Sequence, residues 1–155
     1  MPDHDAVQTG AAERARTEHV ALICRLFEAI GALNMEAALA TMHESIRFTL
    51  PYERAVPPLD KDGLAAILAG LRQAFQRFSM ELVEVVEAVD PNLIVVRYEG
   101  DCLSTDGTVE YRNSYVVFFS FTDGQISRWR EYANPILSRR MNERMGAVAL
   151  DSPAR

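Results

Sequence analysis

The stretch Tyr111-Arg112-Asn113-Ser114-Tyr115-Val116-Val117-Phe118-Phe119-Ser120-Phe121-Thr122-Asp123-Gly124-Gln125-Ile126-Ser127-Arg128-Trp129-Arg130-Glu131-Tyr132-Ala133-Asn134-Pro135 decides how this chain is read. Two runs rich in β-branched and aromatic residues flank Asp123-Gly124, a strong hairpin signal. Asn134-Pro135 then suits the start of a helix, with Asn134 as cap and Pro135 in the first turn. One carboxylate, Glu131, falls among apolar and aromatic neighbours near the end of the second strand.

Which face Glu131 occupies depends on the turn. A two-residue Asp123-Gly124 loop sets Thr122 opposite Gln125 and Glu131 opposite Val116, on one face with Arg112, Ser114 and Phe118. A three-residue Thr122-Asp123-Gly124 loop with a bulge sets Phe121 opposite Gln125, Glu131 opposite Tyr115 and Trp129 opposite Val117. A slip of one residue exchanges the faces. The longer loop sorts the residues better and is the reading preferred. It collects Tyr111, Asn113, Tyr115, Val117, Phe119, Phe121, Ser127, Trp129 and Glu131 on one face. Arg112, Arg128, Arg130 and Tyr132 fall on the other. The first face has the makeup of a ligand pocket, apolar with a few convergent polar groups.

Upstream, Val20, Ile23, Phe27 and Ile30 recur at helical spacing up to Gly31. Asn34 suits the cap of a second helix carrying Ala38, Leu39 and Met42. Ser45 to Leu50 reads as a short strand. Tyr52 to Leu59, with Pro51 before it and Pro57 and Pro58 within it, reads as a loop. Asp60 suits the cap of a third helix with Leu64, Ile67, Leu68, Leu71 and Phe75 as its stripe. Strands follow over Met80–Val89 and Leu93–Leu103, separated by Asp90-Pro91-Asn92. Helices first and long consecutive strands after them predict an α+β fold, a curved antiparallel sheet with helices on its concave side.

The chain has 155 residues, enough for one domain with a sizeable core. The expected division is a loose tail over 1–12, one domain over 13–147 and a second tail over 148–155. The formal net charge of −6 argues against a nucleic-acid surface. No apolar run approaches the roughly 18 residues that span a bilayer. The polar first residues contain no apolar signal segment, so the expected location is the cytoplasm. Cys24 and Cys102 read as two reduced, buried thiols.

These features together identify the chain as a resemblance to the SnoaL-like group of the nuclear transport factor 2 / ketosteroid isomerase superfamily, over about Glu18 to Asn142. Tyr111-x-Asn113-x-Tyr115, Asp123-Gly124-Gln125-Ile126 and Arg130-Glu131-Tyr132-x-Asn134-Pro135 carry it. They are most similar to the phenazine-biosynthesis A/B proteins. The resemblance implies a cone-shaped α+β barrel, three N-terminal helices on a highly curved sheet, and a homodimer formed through that sheet. It implies an acid/base role at Glu131, the position of the acid in polyketide cyclases of the group, and a pocket position for Tyr111. The pocket histidine of the phenazine proteins falls near Ile67 and is absent. The tyrosine, general base and oxyanion aspartate of ketosteroid isomerase fall near Leu26, Leu50 and Val117, so that machinery is absent too.

Each site residue carries two readings. Glu131 is either a pocket acid/base, its proton affinity raised by apolar surroundings, or one half of an ion pair with Arg97 or Arg47. Tyr111, Asn113 and Tyr115 either donate hydrogen bonds to a ligand or are ordinary cross-strand residues. Trp129 is either a wall for a ring-shaped ligand or core. His43 either reaches the pocket mouth or is structural, and Tyr52 either touches a ligand from a lid or stiffens a connector. No His/Asp/Glu/Cys spacing suits a metal and no glycine-rich phosphate loop occurs, so neither metal nor cofactor is expected. The functional expectation is a cofactor-free cyclase, isomerase or dehydratase acting on an enolisable or ring-bearing metabolite. The alternative is a non-catalytic ligand-binding or scaffold protein of the same fold.

Overall fold

The computed structural model describes the backbone of residues 4–151 and the side chains of residues 8–146. Its elements run α1 (His4–Gly31), α2 (Met35–Ala40), β1 (Met42–Thr49), α3 (Lys61–Ala74), β2 (Phe75–Glu87), β3 (Leu93–Ser104), β4 (Glu110–Thr122), β5 (Gln125–Ala133) and α4 (Pro135–Asp151). Helix α1 begins inside the segment expected as a loose tail. The five strands form one curved sheet in the order β1-β5-β4-β3-β2, with helices packed against it.

The expected caps form. Asn34 Oδ1 accepts from the Ala37 amide at 3.1 Å, and Asp60 Oδ1 from the Gly63 amide at 2.9 Å. Asn134 Oδ1 accepts from the Ile136 amide at 3.0 Å, opening α4 behind Pro135. Each cap satisfies a donor that the helix itself leaves unpaired.

Three expectations are corrected. The sheet is not wholly antiparallel, because β1 pairs with β5 in parallel, Phe48 beside Trp129. Phe75 does not extend the α3 stripe. It opens β2, where Phe75 to Met80 pair with Ser104 back to Gly100 of β3, so pairing across the sheet outweighs local helical spacing. The hairpin register is neither of the two considered. Asp123 and Gly124 both take positive φ, 50° and 73°, which makes a tight two-residue turn with Thr122 opposite Gln125. The register then shifts: Phe121 faces Ile126 and Ser120 faces Arg128, leaving Ser127 as the extra residue. Glu131 therefore opposes Val117, and Trp129 opposes Phe119.

The bulge restores the alternation that the short turn alone would invert. Trp129 and Glu131 stay on the concave face, while Ile126, fully buried, takes the inward place expected of Ser127. The Ser127 hydroxyl bonds Thr122 Oγ1 and the Ser120 carbonyl instead.

The core lies between α1 and the concave face. Ile23, Leu26, Phe27 and Ile30 meet Ile94, Val96, Val117 and Phe119. At the other end α3, α4 and the 50–59 loop flank the sheet, and Leu71 of α3 with Leu137, Met141 and Met145 of α4 packs against Phe75, Cys102 and Tyr111. That loop is clamped by two backbone bonds between Phe48 and Leu59, at 2.8 and 2.9 Å.

Candidate active site

A cavity of about 340 Å³ opens at this end. Leu64, Ile67, Leu68 and Leu71 of α3 form one wall. Ser138, Met141 and Asn142 of α4 form another, and Tyr52, Glu53 and Val56 stand at the loop. The sheet supplies Tyr98, Gly100, Cys102, Tyr111, Tyr115, Trp129 and Glu131.

Glu131 is the chemical centre. Its Oε2 accepts two hydrogen bonds, from the Tyr98 hydroxyl at 2.9 Å and from Trp129 Nε1 at 3.0 Å. Among the described residues no cation pairs with it. Arg97 is taken by Glu84 and Glu99, and Arg47 lies exposed on β1 beside Arg128, so the ion-pair reading is set aside. Burial disfavours the carboxylate and raises the Glu131 pKa to about 7, against the opposing pull of the Tyr98 and Trp129 hydrogen bonds.

A second polar chain lies beside it. Tyr98 and Tyr115 are direct cross-strand partners with rings stacked 4.4 Å apart and 5° from parallel. The Tyr115 hydroxyl donates to the Tyr111 oxygen at 3.0 Å, and Asn113 Nδ2 donates to that same oxygen at 2.8 Å. Tyr111 also lies 3.1 Å from Ser138 Oγ. Burial and the neighbouring Glu131 hold the Tyr98 phenol well above its ordinary pKa, and burial with Tyr111 does the same for Tyr115, so both stay neutral donors. Gly100 makes room for this stack, since a Cβ there would lie 2.9 Å from Tyr115 Cε2.

The cavity thus gathers Glu131, Trp129, Tyr111, Tyr115 and Tyr52 of the expected set. Two expected residues do not reach it. His43 stands on β1 next to the β4–β5 turn, bonded to Ser45 Oγ at 2.7 Å and 3.8 Å from Asp123, which fits its structural reading. Asn113 is buried behind the wall. Its Oδ1 accepts from the Ser114 and Asn134 amides and its Nδ2 reaches the Asn134 carbonyl, so it ties α4 to the sheet. Tyr52 is 62% exposed and rests edge-on against Tyr132 at the mouth.

Tyr98 was missed. The alternation of Ile94, Val96, Tyr98, Gly100 and Cys102 against Arg97, Glu99 and Asp101 carries the signal that places it inward. Cys102 lines the cavity with its thiol pushed up to about 12 by burial, while Cys24 is only half-buried; both are free. Among the described residues, no group of three or more His, Cys, Asp or Glu side chains is placed to hold a metal. No helix there is long and apolar enough to cross a membrane.

Fold and site together define a helix-capped α+β cone of the nuclear transport factor 2-like type, hollow at one end around a single deep acid. Residues 23–129 match the SnoaL-like domain, and the chain belongs to that family. An uncharacterized protein of Bacillus subtilis (strain 168), YesE, is 27% identical over 97 residues, 61% of this chain and 66% of its own length. The BvnE pinacolase of Penicillium brevicompactum shares the fold with a TM-score of 0.75 at 19% identity, over 86% of this chain and 94% of that one. A phenazine biosynthesis-related protein of Pseudomonas aeruginosa, PhzB2, does so with a TM-score of 0.69 at 21% identity, over 86% and 90%.

Proposed function

We propose that the protein is a cofactor-independent enzyme of the cyclase, isomerase or dehydratase type, with Glu131 as its acid/base. The observation that carries this is a carboxyl with no cationic partner among the described residues, lining an apolar cavity, with a pKa raised to about 7 by burial. Such a group is poised to take and return a proton near neutral pH. Its Oε2 accepts from Tyr98 and Trp129, so the reading assigns the proton transfer to Oε1.

With an enolisable substrate, the proton leaves carbon for Oε1. The C–H electron pair moves into the adjoining C–C bond, and the carbonyl oxygen gains negative charge. Protonated Glu131 then returns the proton to a neighbouring atom. Membership of the SnoaL-like family and the fold shared with a pinacolase support a small-molecule reaction of this kind.

The test is Glu131→Gln assayed on an identified substrate. Loss of general acid/base help lowers kcat by about 10²–10⁴-fold. Undiminished turnover would rule the role out. We propose further that two copies pair through the outward sheet face, where Val83, Val86 and Val116 are exposed. Light scattering that returns the monomer mass at micromolar concentration would contradict that pairing.

A further inference from the structure

Among the described residues the cavity wall contains no lysine, arginine or histidine; its charged residues there are Glu53 and Glu131. The chain is well supplied with arginine, so this is a matter of placement. Arg77, Arg97 and Arg112 are paired with acids on the outer sheet face. Sites that bind carboxylates or phosphates ordinarily offer a guanidinium, an ammonium or a cluster of backbone amides. Here the oxygen-recognising groups within the sheet wall are phenols. Tyr111 is the best placed of them. Its oxygen already accepts from Asn113 and Tyr115, so its own proton is left for Ser138 or for a ligand.

We infer that the site selects by charge: it admits a compact, uncharged ring compound bearing a carbonyl oxygen and turns away carboxylates and phosphates of the same shape. The inference rests on the proposed function only in placing the ligand in this cavity. An anion entering it loses its hydration, finds no cation in return, and meets Glu131 in a region of low dielectric. An unpaired charge of this sort is a standard way to reject a wrong ligand. A neutral ketone avoids both costs, keeps the apolar contacts of α3, and still receives a hydrogen bond from Tyr111.

A matched pair of probes isolates charge from shape. In 2-acetylnaphthalene and 2-naphthoate the ring and carbonyl are the same, and a methyl group replaces the anionic oxygen. Calorimetric titration about one pH unit above the Glu131 value of about 7 is expected to give binding of the ketone at least about tenfold tighter than of the carboxylate. About one unit below that value Glu131 is mostly protonated, and the gap narrows several-fold. Glu131→Gln narrows it at the higher pH and changes it little at the lower one. Naphthoate binding as tightly as the ketone at the higher pH overturns the inference. So does a failure of the ketone to bind at about 1 mM, a concentration that detects even weak ligands. A gap indifferent to both pH and Glu131→Gln overturns the part assigned to Glu131. Turnover by Glu131→Gln tests the acid/base role separately, so either claim can fail while the other stands.

Discussion

The two ends of the concave sheet face are built from the same strands and have opposite characters. At the closed end α1 lies directly on the sheet, and Leu26, Ile30, Val96, Val117 and Phe119 are essentially inaccessible. At the open end, two residue pairs further along β3 and β4, the facing side chains become Tyr98 and Tyr115, and the sheet with α3 and α4 encloses the cavity. Polar groups enter the inner face at Tyr98, which Phe27 of α1 still meets edge-on, its ring centre 4.9 Å away. Glu131 opposes Val117 at the boundary, so one side of it is core and the other is cavity. That position raises its pKa: the core supplies the burial, and the tyrosine and the indole restrain it.

The largest effect expected from breaking this contrast is at the closed end. Leu26→Ala empties a fully buried position and costs about 2–5 kcal/mol of stability, read from urea unfolding. The Glu131 titration, followed by carboxyl NMR, stays near 7 in the folded variant.

Gly100→Ala attacks the open end through its backbone. The added methyl meets the Tyr115 ring, which is itself stacked on Tyr98, so the strain costs about 1–3 kcal/mol. The near-ultraviolet dichroism of the tyrosines changes with it.

Tyr98→Phe is smaller and chemical. It removes a hydrogen bond that favours the ionised form, worth about 1–2 kcal/mol, and moves the Glu131 pKa upward from about 7. The acid limb of a kcat/KM profile moves up with it. An unmoved limb would separate Glu131 from the kinetics.

A further effect on stability depends on pH. A carboxyl whose pKa is about 7 folded and 4.5 unfolded binds more protons folded than unfolded between those values, so its contribution to stability falls as pH rises through that window. Glu131→Gln removes this penalty. Its melting temperature relative to the parent therefore climbs from acid to mildly alkaline pH, by up to about 7–14 °C at about 1.4 kcal/mol per pKa unit and about 2–4 °C per kcal/mol for a domain of this size.

The face of Glu131 was legible in the sequence although its partner was not. Alternation along β4 and β5 places it with Tyr111, Tyr115 and Trp129. The turn residues allow more than one loop, and the Ser127 bulge that reconciles a tight turn with the right face has no local signature. The parallel β1–β5 pairing is a tertiary fact, since nothing within Met42–Thr49 names its neighbour. Asn113 resembled a ligand-binding residue because its distant partner, the Asn134 backbone, becomes visible only once α4 is docked. His43 was placed near the pocket from helical spacing, but β1 begins at Met42 and carries it to the far side of the sheet edge.

Trp129 is the chain's only tryptophan, and its indole N–H is bonded directly to the group proposed to move protons. The protein therefore contains a built-in optical gauge of its own acid. When Glu131 gains or loses charge, the field along the indole dipole changes, and the emission of an unlabelled sample will report it. Ligand screening and proton titration then become the same fluorescence measurement, with no substrate yet in hand.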